Sequence, residues 1–461
     1  MKNHYFFIVL LLGFLLPNRA GNRGSLNTVT PQSHFMVVAP ITEGRQAALS
    51  ELLESLNSRP GVVDPLNSIL PFAQFGRLHF ARFVILDDPT REDIRQHGIA
   101  PLPLPPSLLF LGDCDGDGDD FLESLVRHAG KGLRQIFSHC EGLGPTDDLL
   151  QWMTDHSRRP AAMYVNWLGR TVPQIREESA LHHALVRYLA SQTADFARQE
   201  PRVIWQKLIA FVDDEIATQR LTLSPSAATP IGWRIGNLLD LLGVPVVLLF
   251  LAPLLIAYLP VFAYQLRRRE TADPEIALRP DRDHVRRLAG LEDHDVTNQF
   301  SAIGAVKPGL FRRWTVSFFV WILDYGARHI YHRGYLTRVG TIHFARWVFL
   351  DGKTRLFFAS NYDGSLEAYM DDFINKVGWG LNLVFSNGVG YPRTDWLILQ
   401  GAKDEQKFKN YIRRHQLPTE VWYNAHPGLT AFDLDRNSRI REGLTKSFMS
   451  DDEIRQWLKL I

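Results

Sequence analysis

His79-Phe80-Ala81-Arg82-Phe83-Val84-Ile85-Leu86-Asp87 recurs as His343-Phe344-Ala345-Arg346-Trp347-Val348-Phe349-Leu350-Asp351, with seven of the nine residues identical. Agreement of that density marks an internal duplication, and the order of the flanking matches extends it. Leu108-Leu109-Phe110, Asp115-Gly116, Gly132-Leu133 and Phe137-Ser138 lie without a gap over Leu356-Phe357-Phe358, Asp363-Gly364, Gly380-Leu381 and Phe385-Ser386. Further on, Tyr164 to Leu185 lies over Tyr423 to Leu444, keeping Tyr164/Tyr423, Gly169/Gly428, Thr171/Thr430 and Ser179/Ser438. Residues of roughly 34–189 thus recur as roughly 299–444.

Hydrophobic periodicity gives each copy the same elements. In the first, Phe35 to Val38, Leu78 to Leu86, Leu108 to Leu111 and Ala161 to Val165 read as strands, and Arg45 to Leu56 and Asp119 to Phe137 as helices. In the second, strands are predicted at Phe300 to Val306, Thr341 to Leu350, Arg355 to Ala359 and Glu420 to Tyr423, with a helix from Leu366 to Val384. The proline-rich insert Pro101 to Pro106 reads as a loop. The order is βαββαβ, that of a ferredoxin-like module. Such a sheet carries helices on one face only, so its other face needs cover, and two sheets packed face to face supply it to each other. The fold class expected is α+β, two tandem ferredoxin-like modules of the dimeric α+β barrel type with an intervening membrane segment.

Here the chain resembles the dimeric α+β barrel superfamily, which includes the dye-decolorising peroxidases and chlorite dismutases. Gly112-Asp113-Cys114-Asp115-Gly116 looks like the Gly-x-x-Asp-Gly motif of the peroxidases, and Ser360-Asn361-Tyr362-Asp363-Gly364 stands in its place in the second copy. The resemblance implies catalytic roles for Asp115 and Asp363 with Arg82 and Arg346, and a haem as cofactor. The proximal histidine would come from the second copy, among His329, His332, His343, His415 and His426, none of which a motif marks. His343, Asn361, Tyr423 and His426 are the cofactor-binding candidates. The plainer reading makes each Asp-Gly a turn that starts a helix, and each arginine a strand residue whose charge a neighbour satisfies. Strand alternation also puts His79 and Arg82 on opposite faces unless a bulge intervenes.

The acidic run from Asp113 to Asp119 offers calcium as a lesser cofactor, although Ser124 falls where the closing glutamate of a calcium loop belongs. No metal site is otherwise expected; His182-His183 diverge on a helix, and His329/His332 are an isolated pair. No serine–histidine–acid order and no phosphate or dinucleotide loop appears.

Composition narrows the class. In 461 residues, 45% hydrophobic and 22% charged is a globular balance, and a net charge of +1 argues against nucleic acid as a partner. Two cysteines, Cys114 and Cys140, are too few for a disulfide scaffold and sit too far apart along the predicted elements to pair.

The amino terminus, residues 1–25, reads as a signal peptide or an N-terminal anchor. Leu241 to Tyr264 is uncharged and ends at Arg267-Arg268-Arg269, which predicts a membrane segment with its carboxyl end in the cytoplasm. Pro245, Pro253 and Pro260 leave open a re-entrant helix–break–helix. A single span would put the two modules on opposite sides, each pairing with another molecule; a hairpin lets them pair within one chain, and both are expected on the cytoplasmic side. The organisation read from the sequence is a first module at 26–195, a linker helix at 196–235, a transmembrane or re-entrant segment at 236–266, a basic linker at 267–297 and a second module at 298–461. Two functions stay open: a membrane-anchored small-molecule-binding protein with haem-dependent, peroxidase-like oxidoreductase activity on a hydrophobic or lipid substrate, or a non-catalytic membrane-attached binding or interaction protein. Membrane lipid, a small hydrophobic molecule and a second copy are the expected partners.

Overall fold

The computed structural model describes residues 30–192, 199–331, 336 and 339–461. The N-terminal signal or anchor and His332 lie outside the described residues. The duplicated blocks form two sets of elements. The first comprises β1 (Gln32–Pro40), α1 (Gln46–Glu54), β2 (Leu78–Leu86), β3 (Ser107–Asp115), α2 (Gly118–Phe137), β4 (Ala162–Val165) and α3 (Val172–Ser191). Between the sets runs α4 (Ile231–Ala272). The second comprises β5 (Thr297–Ala305), α5 (Leu310–His329), β6 (Ile342–Leu350), β7 (Arg355–Asp363), α6 (Leu366–Phe385), α7 (Glu405–His415), β8 (Thr419–Asn424) and α8 (Ala431–Thr445). The chain is thus α+β, and β2 begins and ends where the repeated block predicts.

Each half builds an antiparallel trio, β1–β3–β2 and β5–β7–β6. A self-contained ferredoxin-like module would close its sheet with its own fourth strand beside its first. Here each fourth strand crosses to the other half's sheet and lies beside its second strand, not its first, so the expected ferredoxin-like strand order is not formed. β8 pairs antiparallel with β2 of the first half, and β4 pairs antiparallel with β6 of the second. A short hairpin, Asn57–Arg59 with Gly61–Val63, extends the first sheet beyond β8. After the exchange the chain continues into α3 and α8, which pack on each other with the helix Pro201–Ala217 around Leu181, Leu185, Trp205, Leu208 and Ile440. The expected linker helix is therefore part of a third core, and the two halves interlock.

Alternation along each strand divides the side chains between two environments. Ala81, Phe83 and Ile85 of β2 join Phe110, Leu125 and Leu133 in a core under the helices. Val84 and Leu86 point the other way, meeting Val348, Leu350, Phe357 and Ile303 of the second sheet. The sheets therefore cover each other within one chain, and full burial of each such aliphatic side chain contributes about 1.5–3 kcal/mol. Cys114 and Cys140 are buried and free.

The proline-broken hairpin left open as an alternative for the membrane segment is not found. α4 runs as one helix through Pro245, Pro253 and Pro260. Each proline removes one backbone bond and strains the preceding turn. The stretch 253–261 around the last two is exposed throughout, so the helix can bend there without breaking a core. Across its most apolar eighteen residues none is buried, and the helix is long and apolar enough to cross a membrane.

Candidate functional site

The faces that meet between the sheets carry the most concentrated chemistry of the described residues. Arg82 leaves the middle of β2 and reaches the opposite sheet. There it donates to the carbonyls of Phe300 (2.8 Å) and Ser360 (3.0 Å), to Ser301 Oγ (3.1 Å) and to the side-chain oxygen of Asn361. Arg346, its repeat counterpart on β6, crosses in the other direction to the carbonyls of Phe35 (2.8 Å) and Gly112 (3.0 Å) and to the Asp113 carboxylate. Asn361, which stands where the first copy has Asp113, donates from Nδ2 to Asp113 Oδ2 at 2.8 Å. His34 Nδ1 completes the group with a short bond to Asp113. All five side chains are buried or nearly so.

The Asp/Asn difference is what lets the two halves meet. Two aspartates facing each other here would repel in a medium with little water, whereas the amide offers a donor to the carboxylate. Burial by itself would raise Asp113, but Arg346, His34 and Arg82 together pull its carboxyl down to about 2. Burial pulls the Arg82 guanidinium down to about 9. His34 is lowered by burial and then by Arg346. One carboxylate thus stands between two guanidinium groups, and all three are spent on joining the sheets.

Asp115 and Asp363 have a different and mutually equivalent task. Asp115 Oδ1 pairs with His79 Nε2 (2.9 Å) and its Oδ2 accepts from the Val172 backbone N–H (2.9 Å) at the start of α3. Asp363 Oδ1 pairs with His343 Nε2 (2.7 Å) and its Oδ2 accepts from the Ala431 N–H (2.7 Å) at the start of α8. A carboxylate there satisfies a helix N-terminal donor and favours the dipole. The glycines after them take φ of 80° and 82°, which a side chain would strain, so the Asp-Gly pairs are turns that also brace the helix after the exchanged strand.

A bulge, which the strand pattern left only as a condition for histidine and arginine to share a face, is present in both copies, between Leu78 and Phe80 and between Ile342 and Phe344. It turns His79 and His343 toward His426, whose ring centroid lies 5.9 Å from each and 5.0 Å from that of Phe80. Neither ring nitrogen of His426 has a hydrogen-bond partner, and His79 Nδ1 has none. Burial, then His343 and His79, hold His426 well below the ordinary histidine range. The eight candidate residues therefore divide: Arg82, Arg346 and Asn361 share one network, Asp115, Asp363, His343 and His426 belong to the histidine end, and Tyr423 stands apart. Tyr423 stacks on Phe72 (5.2 Å) on the helix side of the first sheet. Sequence reasoning missed His34 and the bridging role of Asp113; the Asp113/Asn361 difference stands among three others, Leu111/Ala359, Gly112/Ser360 and Cys114/Tyr362, so no signal singled it out.

The residues do not fit a haem. A cavity of about 60 Å³ lies between the second sheet and α6 and α7, lined by Phe300, Trp347, Phe358, Met370, Phe408 and His415 among others; small-molecule sites are on the order of 300–1,000 Å³. His415 has both nitrogens engaged, Nδ1 by the Ile303 carbonyl (3.0 Å) and Nε2 by Asp93 (3.0 Å). His329 pairs with Asp240 and His343 with Asp363, while His426 is enclosed by aromatic rings. The terminal nitrogens of Arg82 and Arg346 are taken up by backbone carbonyls, Ser301 Oγ, Asn361 and Asp113.

Nor does the acidic run form a calcium cage. Asp113 and Asp115 lie on an extended strand and take the partners above, Asp117 caps α2 and Asp119 pairs with Arg159 at the surface. Among the described residues no three histidine, cysteine or acidic side chains come together as a metal site. No protein-family model matches the sequence, and no curated protein or solved structure matches the chain.

Proposed function

We propose that this chain is a membrane-attached, non-catalytic binding or interaction protein whose body is a fused pair of βαββαβ units that have traded their last strands. One observation carries the reading: Arg82, Arg346, Asp115 and Asp363, the four groups that a peroxidase would use, are all committed to bonds that join the halves or start the helices after β4 and β8. A catalytic arginine or aspartate needs a face open to substrate. The exposed apolar run of α4 supports membrane attachment. Pairing of the sheets inside one chain makes a second copy unnecessary for covering them.

Haem titration of purified full-length protein tests this directly. No Soret band and no peroxide turnover are expected, together with recovery in the membrane fraction; a stoichiometric band that His426→Ala removes would overturn the reading. A small-molecule site between the sheets is the second reading, favoured by the unpartnered nitrogens of His426. It requires the His426 ring resonances to move on addition of a ligand.

A further inference from the structure

We infer that α4 and α5 form a lipid-docking platform that sinks into one leaflet of a bilayer, with α4 parallel to the membrane plane and both halves of the molecule on the same side. The inference rests on the membrane attachment proposed above and adds its geometry and topology.

Both ends of α4 are fastened to the same body. Near its start, Asp240 pairs with His329 Nε2 (2.8 Å) and the Leu241 carbonyl accepts from Tyr325 Oη (3.3 Å), both at the end of α5. Near its finish, Phe262 and Arg269 pack on Phe311 at the start of α5. Glu270 is buried and accepts from Thr394 Oγ1, Trp396 N and Leu397 N, and Arg267 pairs with Asp395. The two helices therefore lie antiparallel, with α5 between α4 and strand β4.

At 1.5 Å per residue, Asp240 to Phe262 spans about 33 Å, as much as the hydrocarbon core of a bilayer. A crossing helix would carry one of these ends to the far side and tear out its contacts. The strand exchange closes the other route, because β4 and β8 bind each half into the sheet of the other. Halves on opposite sides of a membrane cannot share strands.

The composition of α4 then has a reason. A helix lying on a water-exposed surface needs a polar face, and α4 has none from Leu241 to Leu266. One side, through Val244 and Leu266, packs on the body. The other exposes Leu249 (72%), Phe250 (80%) and Ile256 (70%), and Trp314 (72%) of α5 is also exposed. An exposed tryptophan suits the boundary between acyl chains and headgroups. Arg234 and Arg268 are exposed on either side of the apolar run, and Asp240 at its start is engaged by His329, so the complementary partner is an anionic lipid surface.

The test uses full-length protein in sealed membrane vesicles from expressing cells, with Arg234→Cys, Arg268→Cys and Ile256→Cys made singly. Both native thiols are buried and stay silent. A membrane-impermeant maleimide is expected to treat positions 234 and 268 alike in right-side-out and in inverted vesicles, both reacting in one preparation and both protected in the other. Position 256 is expected to lose its labelling in both. Opposite reactivity at 234 and 268 means a crossing helix and overturns this inference while leaving membrane attachment standing. Recovery of the protein away from the membrane fraction would sink the attachment itself. Protection of position 256 in membrane-free protein means that a second copy covers the face, and also overturns it.

Discussion

Replacing Arg346 and Arg82 in turn by methionine should have unequal consequences, although the two occupy the same place in the repeat. Arg346 binds the Asp113 carboxylate as well as two carbonyls, while Arg82 reaches carbonyls, a hydroxyl and the Asn361 amide. Arg346→Met leaves a buried carboxylate whose nearest guanidinium lies beyond Asn361, and stripping one partner from a buried ion pair costs about 3–5 kcal/mol. Arg82→Met leaves acceptors without donors, at about 1–3 kcal/mol, and removes a second positive charge from the same enclosure, which lowers the net loss. Asp113→Asn should be at least as damaging as Arg346→Met, because it leaves two guanidinium groups with no counter-ion. The double variant Asp113→Asn/Arg346→Met should lose less than the sum of the singles, since the groups act as one network. Urea unfolding of the full-length protein, followed by circular dichroism at constant m, measures all four. Equal losses for the two arginines, or additive losses for the double variant, would refute the assignment of the charge balance to Asp113.

Gly132 and Gly380 are repeat-related but should respond very unequally to alanine. A methyl at 132 would sit 1.7 Å from the Ile69 carbonyl oxygen, whereas at 380 its nearest neighbour is Val377 Cγ1 at 3.3 Å. Gly132→Ala should destabilise by more than about 3 kcal/mol, while Gly380→Ala, where the helix gain is set against a few tenths of an ångström of movement by Val377, should change stability by no more than about 1 kcal/mol, read as shifts in the urea midpoint. Stability should fall as pH drops below the ordinary histidine range near 6.5, because the buried His426 resists the proton that the unfolded chain accepts. His426→Phe should remove up to about 1.4 kcal/mol per pH unit of that slope, and an unchanged slope would contradict a neutral, buried ring. A second loss belongs to Asp113: its depressed carboxyl contributes in full above about 4 and loses that contribution as pH falls through about 2. Cutting the chain within 224–228, a mostly exposed stretch without regular structure, should give two fragments that co-purify when made together and aggregate when made alone, because each lacks one strand of its sheet and leaves the neighbouring strand unpaired.

Much of this architecture was legible because its cause is local. The repeat around Arg82 and Arg346, the strands that flank it and the helices from Gly118 and Leu366 follow from alternation and periodicity, which act over a few residues. The bulge beside His79 and His343 was legible only as a condition, since two groups on opposite faces cannot meet without one. Haem was a fair expectation from Gly112 to Gly116, but a five-residue pattern carries no record of its long-range partners, and here Asp113 is held by Arg346 and His34, and Asp115 by His79 and the start of α3.

What the sequence determined by itself is the duplication, the βαββαβ order and the apolar run of α4, each a property of neighbouring residues and their spacing. Only the tertiary structure decided that β4 and β8 change places, because strands of four and six residues name no partner and any sheet edge in register would accept them. The same exchange decided what Arg82, Arg346 and Asp113 do, since the worth of a buried charge depends on groups more than two hundred residues away in the chain.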